Sequence, residues 1–309
     1  MNNIKTITKV EIKSLWDRYD LIWELTPDVN ILSGINGSGK STILNCIAGL
    51  MTIGKLDKLH QGLLGKVTIT FDNGKFISFE NLNGNDTIKN LERKALTDAK
   101  FKIKLEELHK FLNIDIISTF DNEIPDIGNK PDESVKTELD KDIFRLQKQY
   151  LDYQLNISKK KDLIIDKNEN INEELTKIRY PQKKFIEIIN DLFKETGKEI
   201  NKNKNEIAFL FGKNELSPYQ LSSGEKQMLV ILLTILVQDN QPSIIFMDEP
   251  EISLHFDWQK KLIQYIRELN PNAQIILATH SPGVVIEGWR NKVKDVRDLV
   301  ILDKLKSKK

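Results

Sequence analysis

Apolar and polar positions alternate along residues 4–33 in three short runs, ITKVEIKSL, DLIWEL and VNILS. A period of two predicts strands. The third run leads directly into GINGSGKST (34–42) and then into STILNCIAGL, whose apolar spacing predicts a helix. Residues 66–80, KVTITFDNGKFISFE, alternate on both sides of Asp72-Asn73-Gly74, the pattern of a hairpin. Residues 85–112 read as a polar helix, IDIIS (114–118) as a buried strand, and DNEIPDIGNKPDES (121–134), with two prolines and no period, as a loop.

The pattern then changes. Leu139, Ile143, Leu146 and Tyr150 recur at helical spacing, and after a polar stretch so do Phe185, Ile188, Ile189, Leu192 and Phe193. This predicts a helical hairpin with solvated outer faces, its first helix about 25 residues and ~38 Å long. Alternating elements then return: EIAFLF as a strand, LSSGEKQMLVILLTILV as a capped helix and SIIFMD as a buried strand. DWQKKLIQYIREL follows as an amphipathic helix, then QIILATH and DLVILD as strands. The expected organisation is α/β, a mixed sheet flanked by helices, with an N-terminal lobe over 1–133, a helical insertion over 134–206 and a C-terminal lobe over 207–309.

Composition narrows the classes. Hydrophobic residues make up 39% and charged residues 29%, which fits a globular chain with a real core. A net charge of +1 projects no field toward nucleic acid or an acidic membrane. The single cysteine, Cys46, excludes an internal disulfide and a cysteine-based zinc cluster, and its apolar setting predicts a buried thiol. The four histidines, His60, His109, His255 and His280, do not cluster as a zinc nuclease requires. The N-terminus lacks a signal-peptide core, and the longest apolar run, MLVILLTILV (228–237), is shorter than the ~20 residues that span a bilayer. The expectation is a cytoplasmic protein with no membrane insertion.

GINGSGKST matches G-x-x-x-x-G-K-[ST]. Glycines at 34, 37 and 39 let the loop of Asn36, Gly37 and Ser38 curl so that successive N–H groups face one anion. The helix that follows adds its positive end. Lys40 is expected to reach the outer phosphates of ATP, Ser41 to ligand Mg²⁺, and Thr42 to donate to a phosphate oxygen. In SIIFMDEP the apolar run ends in Asp248 and Glu249, with Pro250 after them. A buried strand places such carboxylates at the sheet edge where ligands bind, Asp248 for Mg²⁺ and Glu249 to polarise the attacking water. His280, just past another strand tip, reads as a γ-phosphate sensor.

A second glycine-containing helix start, LSSGEKQ, supplies the capping residues Ser222 and Ser223, with Gly224 permitting close approach to an anion. Together the four motifs resemble the ATP-binding-cassette ATPase superfamily, over residues 4–50 and 207–302. DEPEISLH and ATHSP narrow the resemblance to stand-alone ATPases of the recombination-repair and chromosome-maintenance group, similar to anti-phage defence ATPases of the Septu and retron-associated type. That resemblance implies a nucleotide-binding domain in which Ser222, Ser223 and Gly224 complete the ATP site of an opposite subunit, in a head-to-tail dimer around two ATP molecules. Ser253 and Leu254 fall in the family's inter-subunit loop. The chain departs from the pattern where a Q-loop glutamine is expected, since ISTFDNEI (117–124) has none.

Arg18, in the WDRYD turn, stays open between a phosphate contact and a solvated turn residue. Trp16 and Tyr19 stay open between adenine stacking and core packing. An ATPase whose ATP-driven dimerisation regulates a separate effector, such as a nuclease, in defence or DNA-related work is the leading reading. Only 29 residues follow His280, fewer than the nuclease domain some relatives append, so nuclease chemistry is expected from a partner chain. The alternatives are an ATP-binding subunit of a membrane transporter and a stand-alone DNA-binding repair ATPase. For the last, the lysine runs at 159–161 and 304–309 are compatible.

Overall fold

The computed structural model describes residues 4–52, 64–80, 108–110, 112–117, 134–167 and 171–303. They belong to two compact units that the chain enters in turn. One comprises Met1–Ile116, Gln241–Glu249 and Asn272–Lys309, the other Ile117–Asn240 and Pro250–Pro271.

The first unit begins with β1 (Ile7–Leu15), β2 (Tyr19–Glu24) and β3 (Val29–Ser33), followed by α1 (Lys40–Met51), β4 (Lys66–Phe71), β5 (Phe76–Glu80) and β6 (Asn113–Ile117). β1 buries Ile7, Val10, Ile12 and Leu15. The three-residue steps interrupt strict alternation because the register shifts between Ile7 and Lys9 against β4, and between Ile12 and Leu15 against β2. Such bulges carry an extra residue and re-aim the following side chains. The hairpin at Asp72–Gly74 forms as expected, with Gly74 at φ 77°.

In the second unit α2 (Glu138–Lys167) runs 30 residues, longer than expected, or ~45 Å. Asp140 starts it by accepting from the backbone N–H of Lys136 and Thr137. Its stripe of Leu139, Ile143, Leu146, Tyr150, Tyr153 and Ile157 is buried, as are Phe185, Ile188, Ile189 and Leu192 of α3 (Ile171–Leu192). Three short strands, β7 (Lys198–Ile200), β8 (Phe209–Phe211) and β9 (Asn214–Leu216), form a small antiparallel sheet. EIAFLF is therefore a three-residue member of a side sheet rather than a strand of the main one. α4 (Ser223–Val237) is buried from Glu225 to Leu236, as an all-round apolar helix must be.

The chain returns to the first unit for β10 (Ser243–Asp248) and to the second for the amphipathic α5 (Phe256–Leu269). It ends in the first with β11 (Ala273–Ala278), α6 (Pro282–Ile286), β12 (Val293–Asp295), α7 (Val296–Leu299) and β13 (Val300–Asp303). DLVILD thus divides between α7 and β13, because Asp295 caps a helical turn by accepting from the Arg297 N–H.

The α/β class holds, and its main sheet is two sheets. One is antiparallel, in the order β13-β2-β1-β4-β5. The other has the order β12-β3-β11-β10-β6, with β12, β3, β11 and β10 parallel. β6 is an edge strand with Ile116 exposed, not the buried strand its composition suggests. The helix expected over 85–112 lies largely outside the described residues, as does the loop over 121–134 apart from Ser134.

One buried polar side chain links the two sheets of this unit. Gln274 of β11, with no exposure, accepts from the Ile7 N–H at 2.8 Å and donates to the Ile7 and Thr26 carbonyls at 2.7 and 2.8 Å. Gln274→Leu keeps most of the volume and leaves those backbone groups unpaired in the core. The expected cost is about 3 kcal/mol, read as a lower urea midpoint; an unchanged midpoint would show that the bridge holds nothing.

Candidate functional site

Strand register builds the site of the first unit. Leu32 of β3 lies opposite Ala278 of β11, and Ala278 lies opposite Asp248 of β10. Three parallel strands therefore end level, at the carboxyl edge where open sheets bind ligands. The ladder continues one residue further. The Thr279 N–H donates to the Leu32 carbonyl at 3.1 Å, and the Glu249 N–H to the Ala278 carbonyl at 2.8 Å. Glu249 is held there at φ 49°, a left-handed conformation that costs a non-glycine residue about 1 kcal/mol.

The side chains then meet. Lys40, only 4% exposed, donates to the Gly34 carbonyl at 3.2 Å and contacts both ring nitrogens of His280. His280 Nε2 is 3.1 Å from Glu249 Oε1, so the imidazole bridges ammonium and carboxylate. Beside them the Ser41 hydroxyl donates to Asp248 Oδ1 at 3.1 Å. Burial pushes the Asp248 carboxyl above its usual range, against the opposing hydrogen bond from Ser41.

Two features of the loop fit an anion. The Ser38 hydroxyl is buried without a hydrogen-bond partner, which in a native protein calls for a ligand or water. α1 opens on Gly39 with no side-chain cap and no acidic residue in its first turn, leaving its N–H groups for a phosphate. Gly39 itself is at φ 97°, and a Cβ there would lie 2.2 Å from the Trp16 ring, so a larger residue is excluded twice over. Asn36 and Gly37 are exposed at the loop tip, and Thr42 is half-buried in the first turn. The Ser41–Asp248 pair is an all-oxygen donor set that suits Mg²⁺.

The aromatic residues at the WDRYD turn pack rather than open. Trp16 lies on Gly39 and meets Tyr19 edge-on at 6.2 Å, both packed against the core. Arg18 forms two 2.9 Å hydrogen bonds with Asp303 of β13 and sits 4.4 Å over the Tyr19 ring. The structure thus gives Arg18 a carboxylate partner that its sequence neighbourhood does not announce. Cys46 is buried, as expected, and burial pushes its thiol up to about 12.

Ser222, Ser223 and Gly224 belong to the second unit. Both serines are exposed at the start of α4. A Cβ on Gly224 would lie 2.4 Å from the Ser253 carbonyl oxygen, so this glycine is required by packing, whatever ligand approaches it. Ser222 donates to Glu225 through both its N–H and its hydroxyl, each at 2.9 Å. Glu225 is absent from the sequence-derived site, although S-x-x-E is a capping-box signal that could have found it. His255 and Asp257 are exposed, and among the described residues no cluster of three or more His, Cys, Asp or Glu is placed to hold a metal.

The family model described as "AAA domain, putative AbiEii toxin, Type IV TA system" matches residues 29–287. A retron Vc95 probable ATPase from Vibrio cholerae serotype O1 biovar El Tor is 32% identical over 97 residues, 28% of this chain and 19% of that protein. A putative ABC transporter ATP-binding protein from Bacillus thuringiensis subsp. konkukian is 33% identical over 92 residues, 29% of this chain and 16% of that protein. The Septu protein PtuA from Bacillus thuringiensis is 47% identical over 51 residues, 16% of this chain and 13% of that protein. The matched stretches therefore span less than a fifth of these relatives' own lengths. Among solved structures, the Smc head domain with an extended coiled coil, bound to the C-terminal domain of ScpA and derived from Pyrococcus furiosus, has a TM-score of 0.51 at 17% identity, covering 98% of each chain. That likeness concerns the fold. No described helix is long and apolar enough to cross a membrane.

Two substitutions separate site from scaffold. With its folded pKa raised, Asp248 keeps its proton in the folded state after the unfolded chain has released it. Stability therefore falls as pH rises through that interval, starting from the ordinary carboxylate range. Asp248→Asn should be more stable than wild type at pH 7, with a flatter stability profile, yet lose Mg²⁺-dependent nucleotide binding; lower stability at pH 7 would contradict the burial argument. Gly224→Ala should destabilise the protein by about 2 kcal/mol through the Ser253 clash, in thermal melts without nucleotide.

Proposed function

Because this chain belongs to the AAA domain family matched above, we propose that it binds and hydrolyses Mg-ATP at the edge formed by Lys40, Ser41, Asp248, Glu249 and His280. The observation that carries this reading is the level ending of β3, β11 and β10, which gathers an ammonium, a hydroxyl, two carboxylates and an imidazole around one uncapped helix start.

The roles follow from the contacts. Lys40 holds the outer phosphates, exchanging its bond to the Gly34 carbonyl for charged oxygens, which bind an ammonium more strongly. Ser38, Ser41 and Thr42 donate to phosphate oxygens, and the backbone of Asn36 to Gly39 lines the cradle. Ser41 and Asp248 would hold Mg²⁺, which supplies neutralisation of the phosphate charge. Glu249 orients the attacking water and accepts its proton, its carboxylate fixed by the left-handed backbone. His280, between Lys40 and Glu249, reports whether a γ-phosphate has drawn Lys40 away.

The finer reading is a regulator. ATP brings two copies head to tail, with Ser222, Ser223 and Gly224 of each facing the nucleotide on the other, and hydrolysis releases them. The output passes to a separate effector, such as a nuclease, in anti-phage defence or DNA-related work. The retron and Septu relatives support this. The transporter-named relative supports a second reading, in which the same dimer drives a membrane subunit.

Glu249→Gln should retain ATP and, by light scattering, double its mass with ATP but not with ADP. A mutant that stays monomeric at saturating ATP would overturn the head-to-tail reading. Expressed with its native genomic neighbours, the trapped form should co-purify a soluble effector, whereas a polytopic membrane protein would favour transport.

A further inference from the structure

Ser222 does not stand free at the surface of its unit. Its hydroxyl has one proton, and that proton is directed at Glu225 Oε2, 2.9 Å away. Glu225 is 1% exposed, and its two oxygens receive the Ser222 N–H at 2.9 Å, the Thr196 hydroxyl at 2.8 Å and the Lys198 ammonium at 2.8 and 2.9 Å. A buried carboxylate with a charge partner and three further donors is fully satisfied, and it stays ionised. Its desolvation is offset chiefly by Lys198, so the carboxyl sits below its usual range. Thr196 and Lys198 come from the turn and β7 that follow α3, 27 or more residues before Glu225 in the chain. The next charge in the motif is anchored too. Lys226, 8% exposed, pairs at 2.8 Å with Asp140, the buried carboxylate that starts α2.

We propose that Glu225, held by Lys198 and Thr196, is a positioning residue that sets the orientation of the Ser222 hydroxyl and thereby the readiness of this surface to accept a phosphate from a second copy of the chain. The inference rests on the ATP-sandwich reading above. At rest, Ser222 directs its one hydroxyl proton at Glu225, so it has no proton to offer an anion. Engaging a phosphate requires the O–H to leave Glu225 for the phosphate, one charge-assisted hydrogen bond replacing another. Glu225 can release that proton at small cost because three donors other than the Ser222 hydroxyl remain on it. Remove Lys198 and the carboxylate is under-compensated, clings to the hydroxyl or takes up a proton, and the Ser222 backbone it fixes loses its anchor.

The test uses the full chain in the Glu249→Gln background. Two quantities are measured: affinity for a fluorescent ATP analogue in dilute monomer, and the dissociation constant of the ATP-dependent dimer by sedimentation. Lys198→Met should leave the first unchanged, since the cradle lies in the other unit, and weaken the dimer about tenfold, the worth of one hydrogen bond to a charged group. Lys198→Arg should restore the dimer to within about threefold of the parent, because the charge remains. Thr196→Val, which removes one neutral donor, should weaken it by less than Lys198→Met does. If Lys198→Met forms the dimer as tightly as its parent, the positioning role is wrong while the sandwich stands. If the parent itself never dimerises with ATP, the sandwich reading fails first. Loss of nucleotide affinity in Lys198→Met would show a general folding defect and also overturn the proposal.

Discussion

The parallel register of β3, β11 and β10 is the constraint on which the first unit's chemistry depends. Backbone hydrogen bonds between Leu32, Ala278 and Asp248 fix where three strands end, and everything chemical follows within a few residues of those ends. A slip of one residue would turn every side chain of a strand to the opposite face. Asp248 would then leave Ser41, and Glu249 and His280 would part. Because β3, β10 and β11 are buried along nearly their whole length, that slip would also break the core, so the stability of the sheet and the geometry of the site are one requirement.

The site concentrates charge where burial disfavours it. Lys40 is nearly inaccessible, Asp248 is held above its ordinary pKa, and Glu249 occupies a strained backbone conformation. None of this benefits the folded chain alone. Buried polar groups are tolerated when each finds a partner, and here the partners are other site residues: Gly34 and His280 for Lys40, Glu249 for His280, Ser41 for Asp248. The arrangement is a set of groups holding one another in place, and under the function proposed above a ligand with its own charges would replace some of those contacts. The Ser38 hydroxyl is the exception, buried without a hydrogen-bond partner.

The second unit uses its motif differently. Gly224 is fixed by the Ser253 carbonyl and Ser222 by Glu225, so packing and capping alone account for two residues that read as phosphate contacts in the sequence. The two explanations are compatible, since a loop must be held before it can present anything. They show why a motif residue cannot be assigned to ligand binding by its identity alone. The same holds for Arg18 and Trp16, which the sequence leaves open between nucleotide contact and a structural place, and whose observed partners are Asp303 and Gly39.

Much of this protein was legible along the chain. Strand alternation, the helical stripes of Leu139 to Tyr150 and Phe185 to Leu192, and the motif around Lys40 are local patterns, set by side-chain period and by the backbone freedom of a few glycines. So was the placing of Asp248 and His280 at strand tips, because an apolar run that ends in a polar residue declares its own end. What the sequence could not determine were partnerships between distant segments: the division into two sheets, the side sheet that claims Phe209, the pairing of Arg18 with Asp303, and the Lys198–Glu225 contact. Those depend on which faces meet when the core closes, a condition on the whole chain that no window of neighbouring residues contains.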